Sequence, residues 1–97
     1  MEAVVYSSRA LEHLERAFDS LQREKSAAAP AAADAVRSAV ENLASHPLIG
    51  RRVEGDVREL IISYGQTGYV ALYRFVIPTG EVRILALRHQ REIGFVP

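Results

Sequence analysis

The residues best equipped for chemistry are gathered near the end of the chain, in LALRHQREIG at 85–94. There a hydrophobic run gives way at once to Arg88, His89, Gln90, Arg91 and Glu92. An imidazole titrates near neutrality and can take or give a proton. A guanidinium offers a planar fork of donors that fits a phosphate or a carboxylate. Together such groups could form an active site or a nucleic-acid contact. The same five residues also suit a strand leaving the core, with His89 hydrogen-bonded to a neighbouring element. Side-chain alternation bears on the choice, because it sets Arg88 and His89 on opposite faces of one strand. His89, Arg88 and Arg91 are the candidates for catalysis. Arg58, Arg74, Arg88, His89, Gln90 and Arg91 are the candidates for contact with a partner or target, through either a protein's carboxylates or a nucleic-acid backbone. The competing reading pairs the arginines with Glu59, Glu81 or Glu92 at the sheet margin, where surface ion pairs contribute little.

Other chemistry is harder to find. His13 and His46 have no partner spacing that suggests a metal site, and there is no cysteine to supply thiolates. GQTG at 65–68 is a turn and not a phosphate cradle. Tyr64, Tyr69 and Tyr73 could stack on bases, but alternating aromatics in a strand suit a core equally well. Glu12, Glu15 and Asp19 lie on the polar face of a helix and read as solvated. No metal and no cofactor is expected.

The elements that must position these residues come from a chain of 97 residues, enough for one domain spanning 1–97. It is 48% hydrophobic and 25% charged, which supports a core and excludes compositional disorder. No run approaches the ~18 apolar residues of a membrane span, and MEAVVYSSRA lacks a signal-peptide layout. A cytoplasmic protein is the expectation. Net charge is zero, against a generic polyanion-binding coat, yet residues 1–50 carry five bases and seven acids while 51–97 carry seven bases and five acids. Every base in the second half is arginine.

AVVYS at 3–7 is a short β-type run, and Ser7 or Ser8 can cap the helix after it. Ala10, Leu11, Leu14, Ala17, Phe18 and Leu21 then recur at helical spacing to about Arg23. KSAAAP at 25–30 breaks the chain before a second helix, whose stripe is Ala32, Val36, Ala39, Val40 and Leu43. Its small residues predict a tight antiparallel hairpin with the first. Pro47 ends it by Ser45 or His46. LIGRRVEGD at 48–56 reads as a connector. VRELIISY, YVALYRFVI and EVRILALRH follow as strands joined by short turns, a three-stranded meander. The fold class is α+β, β-α-α-β-β-β, with a helical hairpin packed on a mainly antiparallel four-stranded sheet. Arg74 shares a strand face with Val70, Leu72 and Val76; Ile84 shares one with Ala86 and Arg88. Both faces are largely apolar, so both require cover, and the helices supply only one.

The order of elements, and still more the text IGRRV (49–53), VREL (57–60), GYVALYRF (68–75) and ILALRHQRE (84–92), resembles the RelE/ParE superfamily of bacterial toxins, in particular its ParE-type, plasmid-stabilisation branch. The resemblance implies the toxin of a type II toxin–antitoxin pair, an addiction module. Its cognate antitoxin would be a small DNA-binding protein whose amphipathic C-terminal tail lays a helix and often a strand on the toxin. The ParE branch is associated with poisoning DNA gyrase without chemistry of its own. The RelE branch, the alternative, cleaves ribosome-bound mRNA without a metal. A third possibility is a partner-binding accessory domain that poisons nothing. Nucleases of the RelE branch place an arginine at the start of the penultimate strand. Val70 stands at the matching position here, and the C-terminal acid or stacking residue falls near Gln90–Arg91. That incomplete set favours binding over catalysis.

Overall fold

The computed structural model describes residues 2–23, 29–64, 67–90 and 94–95. In chain order the elements are β1 (Ala3–Tyr6), α1 (Ser8–Arg23), α2 (Ala29–Asn42), β2 (Arg51–Glu54), β3 (Val57–Tyr64), β4 (Thr67–Val76) and β5 (Glu81–His89), with a 3-10 turn at Ile77–Thr79. The five strands form one sheet in the order β1-β5-β4-β3-β2. Only the β1–β5 pairing is parallel. The sheet is thus mixed and five-stranded where four strands were expected. The extra strand is Arg51–Glu54, inside the segment read as a connector. All four of its residues are exposed, so it carries no apolar alternation to announce it. It exists because Gly55, at φ 54°, turns the chain back onto β3.

Local chemistry sets the helix boundaries. Ser7 Oγ accepts the Ala10 N–H at 3.0 Å, an N-cap at the place the sequence offers one. Pro30 sits in the first turn of α2. That helix closes in tight turns at Leu43–Ser45, two residues short of Pro47. Both helices cover one face of the sheet. The buried cluster there combines Ala10, Ala32, Val36, Val40 and Leu43 with Ile62, Tyr69, Ala71, Tyr73, Val82, Ile84 and Leu87 from the strands. Burying seven such Val, Leu, Ile and Tyr side chains to below 2% exposure supplies the main driving force, at roughly 1.5–3 kcal/mol for each large aliphatic one.

Three details depart from the sequence pattern. Leu11, assigned to the buried stripe of α1, is 45% exposed, and His13 is buried in its stead at 5%. The helix pair is not tight along its length: a cleft of about 390 Å³ opens between α1 and α2, lined by Leu14, Phe18, Val36 and Val40 with Val4 and Tyr6 of β1. Finally, Leu72 pairs with Ala86 and Tyr73 with Ile84, which leaves Leu85 as a bulge in β5. The bulge moves Ile84 to the helix side, with Leu87 and His89, while Ala86 and Arg88 stay on the other. The alternation that grouped Ile84 with Ala86 is broken there.

Candidate functional site

The register sorts the basic residues by face, because directly paired residues project to the same side. Val5, Arg83, Arg74 and Val57 form one cross-strand row, and Ala86, Leu72, Glu59 and Arg51 another, both on the face away from the helices. Arg88, Val70 and Ile61 form a third row on that outer face. Arg83 and Arg74 are direct cross-strand neighbours, a like-charge pairing that costs stability unless something offsets it. Each is held by an acid: Arg74 Nε lies 2.9 Å from Asp56 Oδ1, and Arg83 Nη2 lies 3.0 Å from Glu81 Oε1. Arg51 pairs with Glu59 at 3.0 Å. These side chains are about half solvent-exposed on the Arg74 and Arg83 side, at 43% and 50%. Val5 and Ile61 stand exposed among them. Val70 and Ala86 are buried on this face, apart from the helix-side cluster.

Arg88 is tied to the chain that follows it. Its Nη1 donates to the carbonyls of His89 and Gln90, both at 3.2 Å, and its guanidinium carbon lies 5.2 Å from the centre of the Phe95 ring. Phe95 therefore returns to the outer side of the sheet and supplies some of its cover. His89 projects the other way and meets Tyr69 edge-to-face, with ring centres 5.5 Å apart. Gln90 N–H donates to Gly68 O at 3.0 Å, and its exposed side chain lies over Gly68. Arg91 lies outside the described residues.

Arg58 is on the helix side. Its Nη1 donates to Leu48 O at 3.1 Å and to Gly50 O at 2.7 Å. Gly50 N–H donates to the buried Tyr73 hydroxyl at 2.8 Å. Burial pushes that hydroxyl above its ordinary pKa of 10.0, while the Gly50 N–H and the Arg58 charge pull it back. A Cβ on Gly50 would stand 2.6 Å from Tyr73 Cε1 and 2.8 Å from Glu59 O, so only glycine fits this approach. Tyr69 and Tyr73 are core residues, not base-stacking platforms, at 2% and 0% exposure.

Of the six candidates for partner contact, Arg74 and Arg88 thus share the outer face, His89 and Arg58 lie on the other, and Gln90 caps the strand end. The sequence reading missed Arg83, which completes the cationic row. Its spacing from Glu81 was visible, but its position beside Arg74 depends on the hairpin register. Among the described residues no cluster of His, Cys, Asp or Glu could hold a metal ion. No helix among them is long and apolar enough to cross a membrane.

The family described as ParE toxin of type II toxin–antitoxin system, parDE, matches residues 4–94. The chain belongs to this family. Toxin RelE3 of Caulobacter vibrioides is 38% identical to this ParE-family chain over 92 residues, covering 95% of this chain and 98% of that protein. In fold, the ParE-family chain is similar to the crystal structure of the intact E. coli RelBE toxin–antitoxin complex. The TM-score is 0.63 at 13% identity, over 90% of this chain and 94% of that one. The α+β arrangement of two helices on a mixed sheet is that fold, and the chain is a toxin of the ParE/RelE kind.

Proposed function

We propose that this ParE-family toxin acts by binding a macromolecular target, DNA gyrase, and not by cleaving RNA. The observation that carries the reading is the division of its candidate groups by the sheet. His89, the imidazole of the basic cluster, is edge-on to Tyr69 on the helix side, whereas Arg74, Arg83 and Arg88 lie on the outer face. A phosphodiester held by those arginines would have a strand between it and the imidazole, and a general base works only within hydrogen-bond reach of the proton it takes. Arg58, also on the helix side, already donates to two backbone carbonyls.

The outer face suits a protein partner. It combines exposed Val5 and Ile61 with a row of arginines whose present acids, the exposed Asp56 and the half-buried Glu81, form surface ion pairs that a partner's carboxylates can replace. We assign this face to a cognate antitoxin, a small DNA-binding protein with an amphipathic acidic tail. The solved RelBE neighbour is a toxin–antitoxin complex, which supports the expectation of such a partner. Co-purification with the product of a short neighbouring open reading frame tests the assignment. Arg74→Glu together with Arg83→Glu is expected to abolish capture, and retention of wild-type capture would refute it. Induced expression of the freed toxin, followed by primer extension on cellular mRNA, separates the modes of action. Growth arrest without new cleavage sites is expected; ribosome-dependent cuts would instead establish the RelE-type activity.

A further inference from the structure

The helix side of the sheet carries a second exposed surface that the assignment above leaves unused. Leu48 and Ile49 are adjacent large aliphatic residues, 58% and 57% exposed, in the loop that leads from α2 into β2. An exposed pair of this size on a floppy loop would be unremarkable. This loop is fastened. Arg58 holds the carbonyls of Leu48 and Gly50, the buried Tyr73 hydroxyl holds Gly50 N–H, and Ile49 N–H donates to His46 O at 3.2 Å. A substitution at Gly50 would collide with Tyr73. The apolar pair is therefore presented in a fixed geometry, with little ordering entropy left to lose on association.

Charge around the pair is equally specific. Arg52 and Arg58 are direct cross-strand partners, a like-charge pairing that costs stability. In the bonds the structure gives them, both guanidinium groups are held by carbonyl oxygens: Arg58 as above, Arg52 by Gly55 O at 2.8 and 3.0 Å. Neutral carbonyls orient the two cations and leave their charge in place, unlike Arg74 and Arg83 with their carboxylates. An apolar knob rimmed by oriented cations fits a protein surface with an apolar hollow edged by carboxylates. A nucleic-acid backbone would use the cations and waste the aliphatic pair.

We infer that the Leu48–Ile49 loop with Arg52 and Arg58 is the anchor by which this toxin grips its target protein, on the side of the sheet opposite the antitoxin. The inference rests on the binding mode proposed above. An antitoxin on the outer face then neutralises by bulk, without sharing the anchor's contacts. The test uses the full chain purified with its antitoxin and then freed, carrying Leu48→Ser with Ile49→Asp or, separately, Arg52→Glu. These positions are exposed, and a thermal melt confirms folding. Antitoxin capture should match wild type, growth arrest should be lost, and the concentration needed to inhibit gyrase should rise at least about tenfold. Wild-type growth arrest by the folded variants overturns the inference, and so does loss of antitoxin capture, which would make the loop an antitoxin contact. If the wild-type chain arrests growth but leaves gyrase untouched, the choice of gyrase fails, while growth arrest by the variants still decides the role of the loop.

Discussion

Tyr73 shows how much one oxygen can organise. Its hydroxyl accepts the Gly50 N–H at 2.8 Å in a site closed to solvent. Tyr73→Phe leaves the amide buried and unsatisfied, so chemical denaturation should report a loss of about 1–3 kcal/mol. The Leu48–Ile49 loop should loosen with it, seen as faster amide exchange at Gly50. His89 gives a contrasting prediction. It sits edge-to-face on Tyr69, so His89→Ala should cost stability by about 0.5–1.5 kcal/mol beyond the area lost, and leave growth arrest intact. A folded His89→Ala protein that no longer arrests growth would return the imidazole to a chemical role.

At the scale of elements, the notable junction is where β1 runs out against β5. Pairing ends at Tyr6 with Ile84, and further groups of β5 on that side are bonded by the side chains of Ser7, the cap of α1, and His13 within the helix. Ser7 Oγ donates to Leu85 O at 3.1 Å, and Leu87 N–H donates to His13 Nδ1 at 3.0 Å, which requires that nitrogen to be unprotonated. The helix thus continues the edge that the strand leaves open. His13→Leu should preserve burial and orphan the Leu87 amide. A loss of about 1–3 kcal/mol in urea unfolding is expected, with exchange at Leu87 accelerated; an unchanged protection pattern would contradict the capping role.

This junction also marks how far the sequence could be read. Ser7 as a cap, the limits of α1 and the β3–β4–β5 meander were legible because each rests on local rules of capping, period and turns. His13 was not, since its position falls on the buried stripe but its residue type argues against burial until the β5 edge is known to need an acceptor. The bulge at Leu85 was hidden because it is a property of two strands together. For the same reason Arg74 and Arg88 were placed correctly on their own strands, while the Arg74–Arg83 and Arg52–Arg58 neighbours appear only once the register is fixed. β2 was hidden for a different reason: an exposed edge strand has no core to pattern it.

Across the whole molecule, the two layers divide the labour. The helices and one sheet face make the core; the outer face and the Leu48–Ile49 loop are the two surfaces we propose for partners. Protonation couples to this architecture at high pH. Burial raises both Tyr6 and Tyr73; Glu41 adds to the rise at Tyr6 and Arg37 opposes it, while the Gly50 N–H and Arg58 oppose the rise at Tyr73. A folded-state pKa above the unfolded value means the stabilisation is complete below pH 10 and is lost as pH climbs through the raised values. The melting temperature should therefore hold to about pH 10 and fall beyond it, less steeply in Tyr6→Phe. A flat profile to pH 11 would contradict that coupling.

The claim on which the rest depends is that this toxin acts by binding. The most direct measurement is ATP-dependent DNA supercoiling by purified gyrase, titrated with toxin freed from its antitoxin. Dose-dependent loss of supercoiling, reversed by adding the antitoxin back, is the predicted result. Undiminished supercoiling in the presence of excess folded toxin that still arrests growth would contradict it.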